Sequence, residues 1–423
     1  MEEKQTHIPE GWSEDSLGNI LNYEQPYKYT VDTTEYNDKS GIPVLTAGKS
    51  FLLGYTTEVH NVYKNTPVII FDDFTTDSKF VDFPFKVKSS AMKFLKPKNP
   101  ESLDIKVIFG HIQNLKIRET GGDHKRRWIS EFSKLKVPLP PFPEQTQIAT
   151  ILSKLGKAIT HTEQLIAKYT RIKTGLMQDL LTKGIDGNGN IRNEETHEFK
   201  DSPLGRIPKE WECCKMGLYV ETNLYGPRFS ANNYSENGNV KTIRGTDFSK
   251  SGDILYDQAP IAKLPPAMIK NHRLFNDDIV IVTTADCGLT AVFKQPENDL
   301  VFIPSAYSVK FRFKKEVYPY YLKLFMTTTF AASQVYKFVR QGTLGNLPSS
   351  DILDFDFVLP DYKEQHRIVN TIEKQEDLIV CEKNKLLKLQ SLKTGLMQDL
   401  LSGKVRVNTS LKKQQTYDTK QRQ

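Results

Sequence analysis

The chain has 423 residues, of which 38% are hydrophobic and 26% charged, and its formal net charge is +7. This composition is typical of a globular protein of two or three domains. It has no run of 18 apolar residues and no signal peptide, so we expect a cytoplasmic protein without a membrane-spanning helix. Four cysteines without a C-x-x-C pair fit a reducing compartment and predict no metal site. The positive charge weakly favours a polyanionic partner.

A short motif, I-P-x-x-W, opens the chain at Ile8–Trp12 and returns at Ile207–Trp211. The region after the first copy, to residue 137, contains short β-type runs separated by turn-forming residues. These runs lie at residues 41–46, 68–71, 80–87 and 107–109. We therefore predict that residues 1–137 form a mixed α+β domain in which strands dominate.

Several residues of this first region are candidates for binding nucleic acid, because cations lie beside aromatic residues or turns. Gly48-Lys49-Ser50 resembles the end of a phosphate loop, but Pro43 occupies the position that must be glycine, so a nucleotide loop is rejected. A solvated charged loop remains an alternative for each residue. The candidates are Tyr27, Lys28, Thr46, Lys49, Ser50, Lys125, Arg126 and Arg127.

Asp72-Asp73 follows the β-type run at residues 68–71 and raises the question of a metal site. A turn at the end of the strand is the preferred interpretation.

The segment at residues 138–186 is predicted to be a long helix, because apolar residues recur at alternating steps of three and four. Its ending Lys173–Leu181 returns letter for letter as Lys393–Leu401, within a second helix predicted at residues 358–405. An ungapped match of this kind indicates a duplicated unit. The residues predicted to pair the helices are Ile148, Leu152, Ile159, Ile166, Gly175, Leu176, Ile368, Ile372, Ile379, Leu386, Gly395 and Leu396.

Two features favour pairing between these helices over a solvated surface helix or a generic dimerisation coil. Leu155 and Thr162 are replaced by Gln375 and Glu382 in the second copy, and polar seam residues commonly fix register and partner choice. A glycine lies inside both helices, where it costs about 1 kcal/mol relative to alanine. We therefore expect a close helix–helix approach at both glycines, where a bulky side chain would not fit.

The rest of the chain repeats this plan. Residues 187–203 are predicted to be a flexible linker and residues 204–357 a second, longer domain with a helix at residues 319–339. Residues 406–423 are polar and basic, which predicts a disordered tail. The second domain's nucleic-acid candidates lie beside glycines or turns: Arg228, Arg244, Thr246, Arg340, Thr343 and Asn346.

Missing motifs exclude several enzyme classes. The sequence contains no G-x-G-x-x-G after a strand and no N-P-P-Y-like or D-P-P-Y-like methyltransferase motif. Pro360-Asp361 lacks the spaced (D/E)-x-K triplet of a nuclease. No catalytic constellation is present, which argues against a self-contained methylating restriction enzyme. A duplicated coiled-coil scaffold that does not read DNA remains an alternative function.

These repeats resemble the specificity subunit of type I restriction–modification systems. The resemblance rests on the I-P-x-x-W openers, the P-L-G-R-I-P-K-E-W run from Pro203, the L-P-x-x-x-E-Q helix entries and the duplicated K-T-G-L-M-Q-D-L-L endings. It covers Ile8 to about Val405. It implies an α+β protein with a pseudo-twofold internal repeat, in which two target recognition domains are spaced by an antiparallel coiled coil.

The resemblance also implies a non-catalytic protein that binds double-stranded DNA at a bipartite, asymmetric site. Two methyltransferase subunits and two motor–nuclease subunits would assemble around it and carry out adenine methylation and cleavage. The partners would use S-adenosylmethionine, ATP and Mg²⁺, and this subunit would bind none of them.

Overall fold

The structure is a computed structural model that describes residues 8–46, 50–115 and 126–407. It is an α+β protein with two strand-rich domains and two long helices. The chain divides into two compact units, Met1–Leu165 with Glu382–Gln423, and Ile166–Cys381. Because both divisions fall inside the long helices, each unit contains one domain and a part of each helix.

The domain of the first unit consists of β1 (Ser13–Ser16), α1 (Leu17–Ile20), β2 (Leu21–Glu24), β3 (Ile42–Leu45), β4 (Leu52–Thr56), β5 (Val68–Asp72), β6 (Ser78–Val81), β7 (Lys86–Val87), β8 (Met92–Pro97), α2 (Ile105–Asn114), α3 (Arg127–Ser130) and β9 (Lys136–Leu139). It contains two larger sheets. One has the strand order β2-β8-β5-β6, and the other has the order β4-β3-β7, in which β3 and β7 are parallel. Strand β1 pairs antiparallel with β9, so the first and last strands of the domain lie side by side.

One of the predicted strands of this domain was wrong, and another is interrupted. Residues 107–109 belong to α2, because Ile105, Ile108 and Ile112 have helical spacing and bury one face of α2 in the apolar core. The run at residues 80–87 is divided between β6 and β7.

The first long helix, α4 (Phe142–Thr182), leads into a short connection. This connection was predicted to be flexible, but the structure shows an ordered segment. Ile185 and Ile191 form a β-bridge, and β10 (Phe199–Ser202) pairs with β11 (Gly205–Pro208) as a hairpin.

The domain of the second unit consists of β12 (Glu212–Lys215), β13 (Val220–Tyr225), β14 (Val240–Ile243), β15 (Ile261–Ala262), α5 (Pro266–His272), β16 (Ile279–Val282), β17 (Thr290–Val292), β18 (Phe302–Pro304), β19 (Ser308–Phe313), α6 (Pro319–Phe325), α7 (Thr329–Phe338), α8 (Ser349–Leu353) and β20 (Asp356–Leu359), followed by the second long helix, α9 (Tyr362–Leu401). Its sheets are β13-β19-β16-β17 and β15-β14-β18, with β14 and β18 parallel, and β12 pairs with β20. It therefore has the same strand order as the first domain.

The shared strand order shows that the duplication includes the domains, although their sequences have diverged. The single helix predicted at residues 319–339 is instead two helices, α6 and α7. The break is stabilised by Thr328, whose side-chain oxygen accepts a hydrogen bond from the Ala331 amide and caps α7.

Within each unit, the two long helices contact each other through apolar residues of the predicted seam. In the first unit, Ile148 and Leu152 of α4 share a cluster with Leu400 and Leu401 of α9. In the second unit, the end of α4 at Leu180 shares a cluster with the start of α9. No helix in the described part of the chain is long and apolar enough to cross a membrane.

The expected close approach at the two mid-helix glycines was wrong. A Cβ atom built on Gly175 or Gly395 would meet nothing in the described structure within 4 Å. Near Gly175, the two helices contact each other through longer side chains. Lys173 pairs with Glu376, and the Gln375 side-chain amide donates to the Tyr169 carbonyl oxygen at 3.2 Å.

The buried His111 in α2 makes the first unit sensitive to acid. Burial lowers the pKa of His111 to about 4, although a hydrogen bond to the Pro138 carbonyl opposes this effect. Because the unfolded chain binds a proton near pH 6.5 and the folded chain does not, stability falls as the pH drops from 6.5 towards 4.

We therefore expect the free energy of unfolding to fall by about 2 kcal/mol from this residue between pH 7 and pH 5. His111→Phe removes the titrating group and should lose correspondingly less stability over that range. Urea titrations at the two pH values measure the difference. An equal loss of unfolding free energy in wild type and His111→Phe would contradict the role of His111 in this pH dependence.

Candidate nucleic-acid interface

The glutamine of each L-P-x-x-x-E-Q motif connects a long helix to the domain before it. Gln145 accepts from the Asp104 amide at 2.8 Å and donates to the Pro140 carbonyl at 2.9 Å. Gln365 accepts from the Tyr318 amide at 2.7 Å and donates to the Pro360 carbonyl at 2.9 Å. Asp104 and Tyr318 are the N-cap residues of α2 and α6. Each glutamine therefore fixes the orientation of its helix on a domain.

The glutamate of the same motif forms a buried contact that we call the first triad, Trp12, Glu144 and Arg406. The Trp12 indole donates to Glu144 at 3.0 Å, and Arg406 donates to both carboxylate oxygens at 2.8 Å. Burial alone would raise the pKa of Glu144, but the hydrogen bonds from Arg406 and Trp12 outweigh it and hold the pKa below its usual value. Arg406 was predicted to lie in a disordered tail, so this prediction was wrong for that residue.

The second triad, Trp211, Glu364 and Arg192, repeats this arrangement. The Trp211 indole donates to Glu364 at 3.1 Å, and Arg192 donates to both carboxylate oxygens. In the first triad, the arginine that follows α9 binds the glutamate that opens α4. In the second triad, the arginine that follows α4 binds the glutamate that opens α9. The triads thus explain why the tryptophan and E-Q motifs occur together.

A glycine just after each helix makes the triads possible. Gly184 and Gly403 both have a left-handed backbone, with φ of +71° and +72°. A Cβ atom on Gly184 would collide with Trp211 and with Glu364. A Cβ atom on Gly403 would collide with Pro9 of the first motif. Glycine is therefore required at both positions by backbone conformation and by space.

The two triads differ in exposure, and this difference predicts different costs of mutation. In Glu364→Gln, the guanidinium of Arg192, whose side chain is only 8% exposed, loses its counter-charge. We expect a loss of about 3–5 kcal/mol in the free energy of unfolding. In Glu144→Gln, the half-exposed Arg406 stays hydrated, and the loss should be on the order of 1–2 kcal/mol.

Urea unfolding of the two variants gives this comparison. Replacing Arg192 by methionine in the Glu364→Gln background should recover part of the loss, because no unpaired charge then remains buried. Equal losses in the two single variants would show that burial of the charge does not set the cost.

In the second domain, three of the sequence-predicted residues line one surface cavity of about 670 Å³. They are Arg228, Arg244 and Thr246. Arg228 follows the first strand of the four-stranded sheet, and the other two follow the central strand of the three-stranded sheet. Arg244 is held by two hydrogen bonds to the buried carboxylate of Asp247, at 3.1 and 2.8 Å. Arg228 is exposed and has no ion pair with any described residue.

The other predicted residues of this domain lie on the loop between α7 and α8. Arg340 and Asn346 exchange backbone hydrogen bonds, and a β-bridge joins Asn346 to Thr284. Thr343 is exposed within this loop, whose Leu344 lines the same cavity. The loop therefore lies beside the other candidates.

The first domain places its candidates on topologically equivalent loops. Tyr27 and Lys28 follow β2 as Arg228 follows β13, and Thr46 and Ser50 follow β3 as Arg244 follows β14. Arg126 and Arg127 precede the last strand, as the Arg340–Asn346 loop does in the second domain. Lys49 and Lys125 lie outside the described residues.

Two aromatic neighbours of these cations are structural. Trp128, which the sequence places beside three basic residues, is 1% exposed and packs edge-to-face on Phe71. Its amide donates to Asp73, whose carboxylate also pairs with Lys93 at 2.9 Å. Tyr29 packs against Tyr63 in the core. The side chain of Tyr27, by contrast, is 66% exposed.

The Asp72-Asp73 pair is a strand-end turn. Asp72 accepts from the amides of Phe74 and Thr75, as an Asx turn does.

The described residues contain one cluster of possible metal ligands that was not predicted from the sequence, which consists of Asp32, Glu58 and His60. The ammonium of the fully buried Lys86 lies 2.5 Å from Glu58, and their hydrogen bond lowers the pKa of Glu58 to about 2. Lys86 therefore already neutralises this carboxylate.

Sequence analysis also missed Tyr307 and Asp286, which line the cavity of the second domain. Tyr307 is 63% exposed. An aromatic residue in a turn was the available signal, but turn position alone does not show what a side chain faces.

The chain matches known proteins over most of its length. A family model described as the type I restriction modification DNA specificity domain matches residues 9–171 and 208–391, once in each half. The chain is 30% identical over 381 residues to the EcoR124I/EcoR124II specificity subunit of Escherichia coli, a type I restriction enzyme, and the match covers 86% of each chain.

Two further matches extend this result. The MjaVIII specificity subunit of Methanocaldococcus jannaschii is 25% identical over 428 residues, which is 95% of this chain and 94% of the relative. The crystal structure of a type I restriction–modification S subunit from M. genitalium has a TM-score of 0.56 at 12% identity, covering 95% of this chain and 98% of the other. At that identity, the structural match supports the fold alone.

Proposed function

This chain belongs to the type I restriction–modification DNA specificity family, and we propose that it reads a bipartite, asymmetric site on double-stranded DNA. Specificity subunits of this family are non-catalytic. In the proposed complex, each domain binds one half-site, and partner subunits methylate adenine and cleave the DNA. The two half-sites differ in sequence because the two domains differ in sequence and length.

The observation that carries this proposal is the equivalent placement of the candidate residues in both domains. Two domains with one strand order place their candidate residues on the same three loops. On two of these loops both domains present an exposed cation, which is Lys28 or Arg228 on one loop and Arg126 or Arg340 on the other. Duplicated domains that bind two segments of one duplex would use equivalent surfaces, as twofold DNA-binding proteins do. A scaffold that does not read DNA would not require candidate residues on equivalent loops of both domains.

We further propose that α4 and α9 form an antiparallel coiled coil that spaces the domains. The supporting contacts are those within the units, where the start of α4 meets the end of α9 and the end of α4 meets the start of α9. With the triads at both ends, this pairing gives the protein a pseudo-twofold internal repeat. The proposed boundaries are residues 1–137 and 204–357 for the recognition domains, and 138–186 and 358–405 for the helices.

The repeated helix endings support binding of two copies of one partner. Thr174, Gln178, Thr394 and Gln398 are exposed, and neither mid-helix glycine contacts another part of the described structure. Packing within the chain therefore does not explain why the two copies carry identical residues at these exposed positions. In the proposed assembly, each copy binds one methyltransferase subunit, and two motor–nuclease subunits join the complex. The partners use S-adenosylmethionine, ATP and Mg²⁺, and this chain takes no cofactor.

Replacement of one domain tests whether the two half-sites are read independently. Because β12 pairs with β20, residues 212–359 form a unit that can be exchanged without altering either triad. We expect a chain carrying the corresponding segment of the Escherichia coli relative to keep one half-site and change the other. Sequencing of methylated bases in cells that also express the methyltransferase subunit measures both half-sites. A change in both would contradict the modular proposal.

Salt dependence tests contact with the DNA backbone. Arg126 is exposed at the start of α3. If it binds one phosphate, Arg126→Ala should reduce the slope of log K against log salt by about 0.9 in the methyltransferase complex. Arg206→Ala, which removes an exposed arginine of the linker hairpin, is the matched control and should leave the slope unchanged. Equal slopes for wild type and both variants would exclude a phosphate contact at Arg126.

A further inference from the structure

The charges around the 670 Å³ cavity of the second domain nearly cancel. Asp247 neutralises Arg244, and the same lining contains one further cation, the exposed Arg228, and one anion, the exposed Asp286. A phosphate site requires a positive lining, whereas base edges in the major groove present donors and acceptors together. An exposed carboxylate accepts from a base amino group but repels a phosphate. The lining therefore suits base edges.

Tyr307 is presented to this cavity from a fixed turn. The Thr283 amide and hydroxyl both donate to the Tyr307 carbonyl oxygen, each at 2.9 Å. The Ser308 amide donates to the Ser305 carbonyl at 3.1 Å across the turn. These bonds hold the backbone while leaving the phenol exposed, so Tyr307 can bind with little loss of backbone entropy.

The first domain shows that the fold of this turn does not require a tyrosine. There, the Asp73 amide donates to the Ala91 carbonyl at 3.4 Å, in the position equivalent to the bond between Thr283 and Tyr307. Since the same turn forms around alanine, stability of the turn does not explain the large exposed side chain at Tyr307.

We propose that this cavity reads base edges of the second half-site, and that Tyr307 and Asp286 are specificity-determining residues. The proposal rests on the proposed function and adds the residues and the type of contact. Tyr307 carries no charge, so its contribution is independent of salt, and its contact with a base edge makes that contribution dependent on sequence. Asp286 accepts a hydrogen bond from a base amino group, which cytosine and adenine provide in the major groove.

The experiment measures binding of the reconstituted methyltransferase complex to duplexes with the cognate site or with single substitutions in either half-site, at several salt concentrations. Tyr307→Ala should weaken cognate binding by about tenfold to hundredfold with an unchanged salt slope. It should also reduce the preference for the cognate duplex over substituted duplexes, but only for substitutions in the second half-site. Asp286→Asn should relax the preference at one base pair of that half-site. Tyr27→Ala, an equally exposed tyrosine of the first domain, is the matched control and should not affect the second half-site.

Because both side chains are exposed, the thermal unfolding of the variants should match wild type, which separates binding from folding. Unchanged discrimination in Tyr307→Ala and Asp286→Asn would overturn the proposal. Equal weakening of all duplexes by Tyr307→Ala, or tighter binding of all duplexes by Asp286→Asn, would overturn it in favour of phosphate binding. If the wild-type complex itself does not discriminate between duplexes, the proposed function fails as well.

Discussion

The rest of the structure depends on a buried carboxylate at the start of each long helix. Glu144 and Glu364 each bind a tryptophan from the start of one repeat and an arginine that follows the other long helix. A carboxylate that loses its hydration must gain charged hydrogen bonds in return. This requirement brings together three chain segments that are distant in sequence, and it explains why the repeated motifs consist of a tryptophan, a glutamate and a glycine.

The glutamine beside each carboxylate extends this constraint to the domains. Its amide group contacts the N-cap residue of the helix that follows the four-stranded sheet. The position of each domain on its helix is therefore set by hydrogen bonds from the glutamine side chain to backbone groups, which do not depend on the sequence of the surface loops. The loops can diverge while the attachment stays the same.

The errors of sequence analysis have a common physical origin. The connection after α4 contains glycines and polar residues, which are typical of a flexible linker, but Arg192 within it is held by a glutamate 172 residues away. Trp128 lies beside basic residues in sequence, but its side chain fills the core against Phe71. The mid-helix glycines were interpreted as a contact between helices, whereas both face open space. In each case, a long-range contact, or its absence, decided the outcome.

The sequence by itself determined the duplicated plan and the two long helices, because these follow from letter-for-letter repeats and from apolar periodicity along one chain. Its motifs resembled those of one family, and the family model confirmed that resemblance. Tertiary structure alone decided that the diverged domains share one strand order and that Arg228, Arg244 and Thr246 line one cavity with Tyr307 and Asp286. Local patterns specify which face of a segment is buried. They do not specify which distant loops meet, because that depends on strand order and on the packing of complete sheets.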